Sequence, residues 1–105
     1  MSTSLPPRLL LVGLGAVGRS VASEIIRSGG CALAGAVDPS FSGMPLEHLV
    51  PNAPASARVW SSISDAPMAD IAFIATTSFA ADIEPTVTQA LQHGMHVVTI
   101  AEELG

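Results

Sequence analysis

Cysteine and basic residues are both scarce in this chain, and each shortage excludes a class of protein. Cys31 is the single cysteine among 105 residues, which excludes a disulfide within the chain and is typical of a reducing compartment. Four basic residues, all of them arginine, stand against nine acidic ones, and the net charge is −5. Proteins that bind nucleic acid normally present a basic face, so nucleic acid is not an expected partner.

Long apolar runs and clusters of metal ligands are missing as well. The longest apolar stretches are far too short to cross a bilayer, and residues 1–7 lack signal-peptide architecture. We therefore expect no membrane association and a cytoplasmic location. His48, His93 and His96 show no metal-ligand spacing, and no serine lies in a G-x-S-x-G pattern. Neither a metal site nor hydrolase chemistry is expected.

What the chain does contain is an alternation of apolar strands and amphipathic helices. Hydrophobic residues make up 49% and charged residues 12%, as is typical of a sheet covered on both faces. The length predicts a single domain. The predicted strands are Arg8–Val12, Ala32–Val37, Ala57–Trp60, Asp70–Ala75 and His96–Ile100. The predicted helices are Ala16–Ser28, stopped by Gly29, and Glu84–His93, with Pro85 at its first position and Gly94 as its stop. Right-handed crossovers predict a parallel sheet of strand order 3-2-1-4-5.

A glycine motif lies between the first predicted strand and the first predicted helix. Residues 13–18 read Gly-Leu-Gly-Ala-Val-Gly, and Asp38 closes the second strand. This arrangement is the dinucleotide-binding fingerprint of a doubly wound Rossmann-type α/β fold. Gly13 permits a tight turn, Gly15 lets a pyrophosphate approach the backbone, and Gly18 allows helix and strand to pack closely. The alternative is a tight strand–helix turn with no ligand.

The start of the first helix and Asp38 indicate which nucleotide is bound. Ala16 and Val17 begin the helix, whose unpaired N–H groups and positive dipole end suit phosphates. A carboxylate at Asp38 accepts hydrogen bonds from ribose hydroxyls but repels a 2′-phosphate, and residues 39–41 supply no cation. NAD is therefore favoured over NADP. Arg19 could swing toward a phosphate, but we interpret it as an exposed first-turn arginine.

Further polar residues follow strands four and five, whose carboxyl ends meet at the same edge of the sheet. Thr76, Thr77 and Ser78 could line the pyrophosphate or the nicotinamide ribose; alternatively, Ser78 only caps the next segment. Glu102 and Glu103 follow the fifth strand. Carboxylates there could hold an ammonium group or move a proton during hydride transfer, or they could only favour the start of another helix. We expect one to cap and one to face the site.

Four stretches match a known pattern: Leu11–Arg19, Gly35–Pro39, Ala75–Ser78 and His93–Leu104. They resemble the N-terminal domain of the 2,4-diaminopentanoate dehydrogenase and native amine dehydrogenase family, a relative of dihydrodipicolinate reductase. The resemblance implies a nicotinamide-dependent oxidoreductase that interconverts an amine with a ketone and ammonia. It also implies that Glu102 or Glu103 contacts the reacting amine, with Glu102 favoured. The Gly-Thr-Thr-Gly-Phe stretch usual in dihydrodipicolinate reductase itself does not occur.

The same resemblance implies a second, substrate-binding and oligomerising domain beyond residue 105. We therefore expect the 105-residue chain alone to be inactive, the parent enzyme to take a small amine or ketone, and the protein to form a homo-oligomer. Two other functions stay open. One is the coenzyme domain of a dihydrodipicolinate reductase-, aspartate- or homoserine dehydrogenase-like enzyme, and the other is a non-catalytic nucleotide- or CoA-binding module.

Overall fold

The computed structural model describes residues 6–76 and 80–101, which form a parallel sheet with a helix on each face. Its strands are β1 (Arg8–Val12), β2 (Ala32–Val37), β3 (Val59–Trp60), β4 (Ile71–Thr76) and β5 (His96–Ala101). All four strand pairings are parallel, and the spatial order is β3-β2-β1-β4-β5. The chain therefore has a Rossmann-like α/β fold, and the predicted strand order is confirmed.

The first helix, α1, spans Ala16–Ser28, as its apolar spacing predicts. Val17, Val21 and Ile25 recur at helical intervals and pack against the core on one face of the sheet. Gly29 ends the helix with a φ of 72°, and its N–H donates to the Ile25 carbonyl at 3.0 Å. A left-handed residue at this position is favoured by glycine, so the predicted stop is confirmed.

The second helix, α2, spans Ala80–Gln92, and the predicted start at Glu84 is wrong. Pro85 lies inside the helix rather than at its first position. Because proline has no N–H, it removes one backbone hydrogen bond, and propensity alone would place the helix start there. Ala90 is buried and Val87 packs against the sheet. Packing of this kind, rather than local preference, supplies most of the stability of a helix in a folded protein.

The end of α2 follows its prediction. Gly94 has a φ of 78°. Its N–H donates to the Leu91 carbonyl, and the N–H of Met95 donates to the Ala90 carbonyl, each at 3.0 Å. These paired bonds form a Schellman motif, which favours glycine at this position. Met95, whose side chain is buried, immediately precedes the first residue of β5.

Strand β3 is shorter than the predicted Ala57–Trp60, because the residues before it pair with a different segment. Arg58 forms an isolated antiparallel bridge with Pro45. The N–H of Val59 also donates to the Met44 carbonyl at 2.9 Å. The loop after β2 thus covers the outer edge of β3. Covered edges of this kind limit pairing between sheets of different molecules.

The side chains of β1 point alternately to the two faces of the sheet, so they contribute to two separate layers of the core. Leu9 and Leu11 point toward α1, whereas Leu10 and Val12 point toward α2. All four of these side chains are buried. The central strand of the sheet is thus apolar on both faces, as the composition predicts. Short 3-10 turns occur in the connections, at Pro39–Phe41, Leu46–His48 and Ile63–Asp65.

Candidate functional site

The carboxyl ends of β1, β2 and β4 lie side by side, and most of the predicted site residues follow them. Val12, the last residue of β1, pairs with Val37 of β2 on one side and with Ile74 of β4 on the other. The turn from Gly13 to Gly15, here called the glycine turn, follows β1. Asp38 follows β2, and Thr76 ends β4. The fold thus brings these predicted residues to one edge of the sheet. Thr77, Ser78, Glu102 and Glu103 lie outside the described residues.

Gly13 makes the sharp turn out of β1. Its φ is 98°, a value that side-chain-bearing residues rarely adopt. Its N–H donates to the Val37 carbonyl at 2.9 Å, so the turn remains hydrogen-bonded to the neighbouring strand. The predicted need for glycine at this position is confirmed.

Gly18 allows α1 to approach that turn closely. A Cβ atom built on Gly18 would lie 2.0 Å from the Gly13 carbonyl oxygen, far inside van der Waals contact. The same atom would lie 3.9 Å from the Cβ of Ala75 in β4. Close helix–strand packing therefore requires glycine at position 18, as predicted.

Gly15 differs from both of these glycines, because no described residue requires glycine there. It precedes α1 with a φ of −74°, which any L-residue can adopt. A Cβ atom built on it would meet no described atom within 4 Å, and the residue is exposed. The described residues therefore leave the space above Gly15 open.

The N-terminus of α1 faces the same open space. Among the described residues no side chain caps this helix, and its first turn contains no acidic residue. The first N–H groups of an α-helix, here those of Ala16 and Val17, have no partner within the helix. Their dipole end is positive. An anion that entered above Gly15 would therefore meet free N–H donors and a favourable field.

Asp38 ties the glycine turn to the end of β2. Its Oδ2 accepts a hydrogen bond from the Leu14 N–H at 2.9 Å, and its Oδ1 accepts one from the Ser40 N–H at 3.0 Å. The residue is half-buried. Because each carboxylate oxygen can accept more than one hydrogen bond, both oxygens retain capacity for a ligand. Sequence reasoning predicted Asp38 in the site but not its hydrogen bond to the turn.

Arg19 is exposed, as predicted, but its side chain is held in place. Its Nε donates to the Leu14 carbonyl at 3.0 Å, and its guanidinium carbon lies 5.6 Å from the centre of the Phe41 ring, within the range of a cation–π contact. Phe41 belongs to the turn that begins directly after Asp38. Residues 39–41 themselves supply no cation, and Arg19, which the sequence predicted as an exposed first-turn arginine, places its guanidinium against Phe41 of that segment.

A separate surface cavity of about 380 Å³ lies beyond the end of β3. Its lining includes Ser42, Arg58, Trp60 and Asp65, and none of the residues of the glycine turn. A backbone hydrogen bond joins its lining to the candidate site, since the Asp38 N–H donates to the Trp60 carbonyl at 2.8 Å.

No protein-family model matches the sequence, and no curated protein matches it significantly. Within residues 6–76 and 80–101, no three His, Cys, Asp or Glu side chains are grouped so that they could hold a metal ion. In the same part of the chain, no helix combines the length and the apolar character that crossing a membrane requires.

Proposed function

We propose that this chain is the coenzyme-binding domain of a nicotinamide-dependent oxidoreductase that interconverts an amine with a ketone and ammonia, with NAD as its preferred cofactor. The observation that carries the nucleotide-binding part is the contrast among the three glycines. A positive φ explains Gly13 and close packing explains Gly18, whereas nothing among the described residues requires glycine at Gly15. A tight strand–helix turn without a ligand would need glycine only at positions 13 and 18.

A pyrophosphate accounts for the third glycine. Phosphate oxygens placed above Gly15 could reach the free N–H groups of Ala16 and Val17, and a side chain at position 15 would fill that space. Ligands of open α/β sheets bind beyond the carboxyl ends of the strands, at the switch point where the strand order reverses. In this sheet the switch point lies between β1 and β4, and the candidate site lies there. These features favour a dinucleotide with its pyrophosphate at the start of α1.

Asp38 supports the preference for NAD. Its half-buried carboxylate stands at the end of β2, where the adenosine ribose of a dinucleotide lies in this fold. Hydrogen bonds from the Leu14 and Ser40 N–H groups fix its position. Its remaining acceptor capacity suits the 2′- and 3′-hydroxyls of NAD, and its negative charge opposes a 2′-phosphate.

The amine substrate is proposed from the residues after β5. Nicotinamide chemistry would remove hydride from the carbon that bears the amine, and water would hydrolyse the resulting imine to the ketone and ammonia. Glu102 and Glu103 follow β5, which pairs with β4 next to the switch point. A carboxylate there would hold the substrate ammonium group and take up its proton. The same stretch, the end of strand five with Glu-Glu-Leu, is the most specific part of the resemblance to the amine dehydrogenase family.

Titration of the purified chain with NAD+ and NADP+ by calorimetry tests the cofactor assignment. We expect NAD+ to bind several-fold more tightly than NADP+. Asp38→Ser should reduce the difference in affinity between NAD+ and NADP+, because the repulsion of a 2′-phosphate is removed. Asp70→Ser is the matched control, since the Asp70 carboxylate also accepts a backbone N–H, from Arg8 at 2.8 Å, but at the opposite edge of the sheet. Failure of the native chain to bind either dinucleotide would overturn the proposal.

Substitution of the two glutamates tests the chemistry in the complete enzyme that carries this domain. Glu102→Gln and Glu103→Gln should leave cofactor affinity nearly unchanged. At the position that faces the substrate, amine turnover should fall by about a hundredfold or more, because the carboxylate loses both its charge and its basicity. Each variant is the control for the other. Undiminished amine turnover in both would remove the residue-level support for an amine substrate, while dinucleotide binding would still stand.

A further inference from the structure

Arg19 and Asp38 both hydrogen-bond to Leu14 in the glycine turn, and Phe41 contacts both of them. Leu14 donates its N–H to the Asp38 carboxylate and accepts a hydrogen bond on its carbonyl from Arg19 Nε. Phe41 lies against the Arg19 guanidinium, and its own N–H donates to the Asp38 carbonyl at 3.1 Å. A cation and an anion are thus held beside the same turn by contacts from three different segments of the chain.

We propose that Arg19 is a specificity-determining residue that lets this site accept a 2′-phosphorylated dinucleotide, NADP, in addition to NAD. The inference rests on the proposed function, because it assigns a role to Arg19 within the same dinucleotide site. Asp38 alone would reject the 2′-phosphate through charge repulsion. A guanidinium fixed nearby supplies the opposite charge and offsets that repulsion.

The charge of Arg19 is available for a ligand. Among the described residues, the ion pair within 4.0 Å joins Arg27 to Glu24, one helical turn apart near the far end of α1, and does not involve Arg19. The hydrogen bond of Arg19 to Leu14 uses Nε. Its two terminal amino groups have no hydrogen-bond partner in the part of the chain that the structure describes. Two parallel N–H donors of this kind match the oxygens of a phosphate.

The Phe41 ring gives Arg19 a defined position. A guanidinium that lies against an aromatic ring is attracted by the ring's negative face. The Nε hydrogen bond holds the other end of the planar group. Because the Arg19 side chain is already restricted, it loses less conformational entropy when a phosphate binds, and such preorganisation increases affinity. An arginine free in solvent would lose more conformational entropy on binding.

The test compares Arg19→Ala with Arg27→Ala, which removes the same charge from the same helix at a site paired with Glu24. Calorimetry would measure NAD+ and NADP+ binding, and 5′-AMP and adenosine 2′,5′-bisphosphate would isolate the contribution of the 2′-phosphate. We expect Arg19→Ala to weaken NADP+ and the bisphosphate by about tenfold to a hundredfold, the usual range for a lost charged hydrogen bond. NAD+ and 5′-AMP should change less than about threefold, and Arg27→Ala should affect none of the four ligands.

Arg19→Lys provides a second variant, which keeps the charge but loses the planar pair of donors. It should recover part of the NADP+ affinity and leave NAD+ unchanged. Equal losses for NAD+ and NADP+ in Arg19→Ala would overturn the inference and assign Arg19 to the adenine or the pyrophosphate. A native chain that binds NAD+ but not NADP+ would overturn it as well. In both cases the proposed function would stand, whereas no binding of either dinucleotide would overturn the proposed function itself.

Discussion

Gly15→Val is expected to abolish dinucleotide binding in a domain that stays folded. The valine side chain would occupy the space that the described residues leave open above the start of α1, where the proposed pyrophosphate approaches the backbone. We expect affinity for NAD+ and NADP+ to fall by at least about a hundredfold, because the phosphates would lose their contacts with the helix N–H groups. Calorimetric titration of the variant measures the loss.

The fold should tolerate this change, for reasons visible at position 15. The backbone φ of −74° suits any residue, and a Cβ atom there meets no described atom within 4 Å. Replacing a glycine that precedes a helix with an apolar residue costs about 1 kcal/mol. Gly30→Val is the control at the other end of α1, where a Cβ would lie 3.9 Å from Ser28 Oγ. Normal cofactor binding by Gly15→Val would show that the fingerprint interpretation is wrong.

Gly18→Ala, in contrast, is expected to destabilise the fold itself. One added methyl group would lie 2.0 Å from the Gly13 carbonyl oxygen, so α1 or the turn must move. Overpacking of a core costs typically 1–3 kcal/mol and sometimes more, and a clash with rigid backbone belongs at the upper end. We expect a loss of about 3 kcal/mol in the free energy of unfolding and a Tm lower by about 15 °C.

Chemical and thermal unfolding followed by circular dichroism would measure that loss. Gly15→Ala is the matched control, since it adds the same methyl group three residues earlier, where the added atom meets no described atom within 4 Å. It should change the free energy of unfolding by less than about 1 kcal/mol. Equal stabilities of Gly18→Ala and Gly15→Ala would contradict the close approach of α1 to Gly13.

Local sequence patterns determined the first half of the fold. The bounds of β1, α1 and β2 follow from an apolar run, a helical apolar spacing and glycines at the turns, and the structure confirms all three. The strand order follows from the handedness of parallel crossovers. The start of α2 could not be predicted, because Pro85 marks a helix start in local terms and packing on the sheet overrides that preference.

For the candidate site, the sequence by itself determined which residues gather at one edge of the sheet, since the glycine motif and Asp38 follow strands whose carboxyl ends must meet. Only the tertiary structure decided how they contact one another. The hydrogen bond from Leu14 to Asp38 joins residues 24 positions apart, and the contact of Arg19 with Phe41 joins a helix to a loop. Such contacts depend on how elements pack in three dimensions, which no local spacing specifies. The space that the described residues leave open above Gly15 is likewise a property of the folded surface, because it depends on where the neighbouring segments lie.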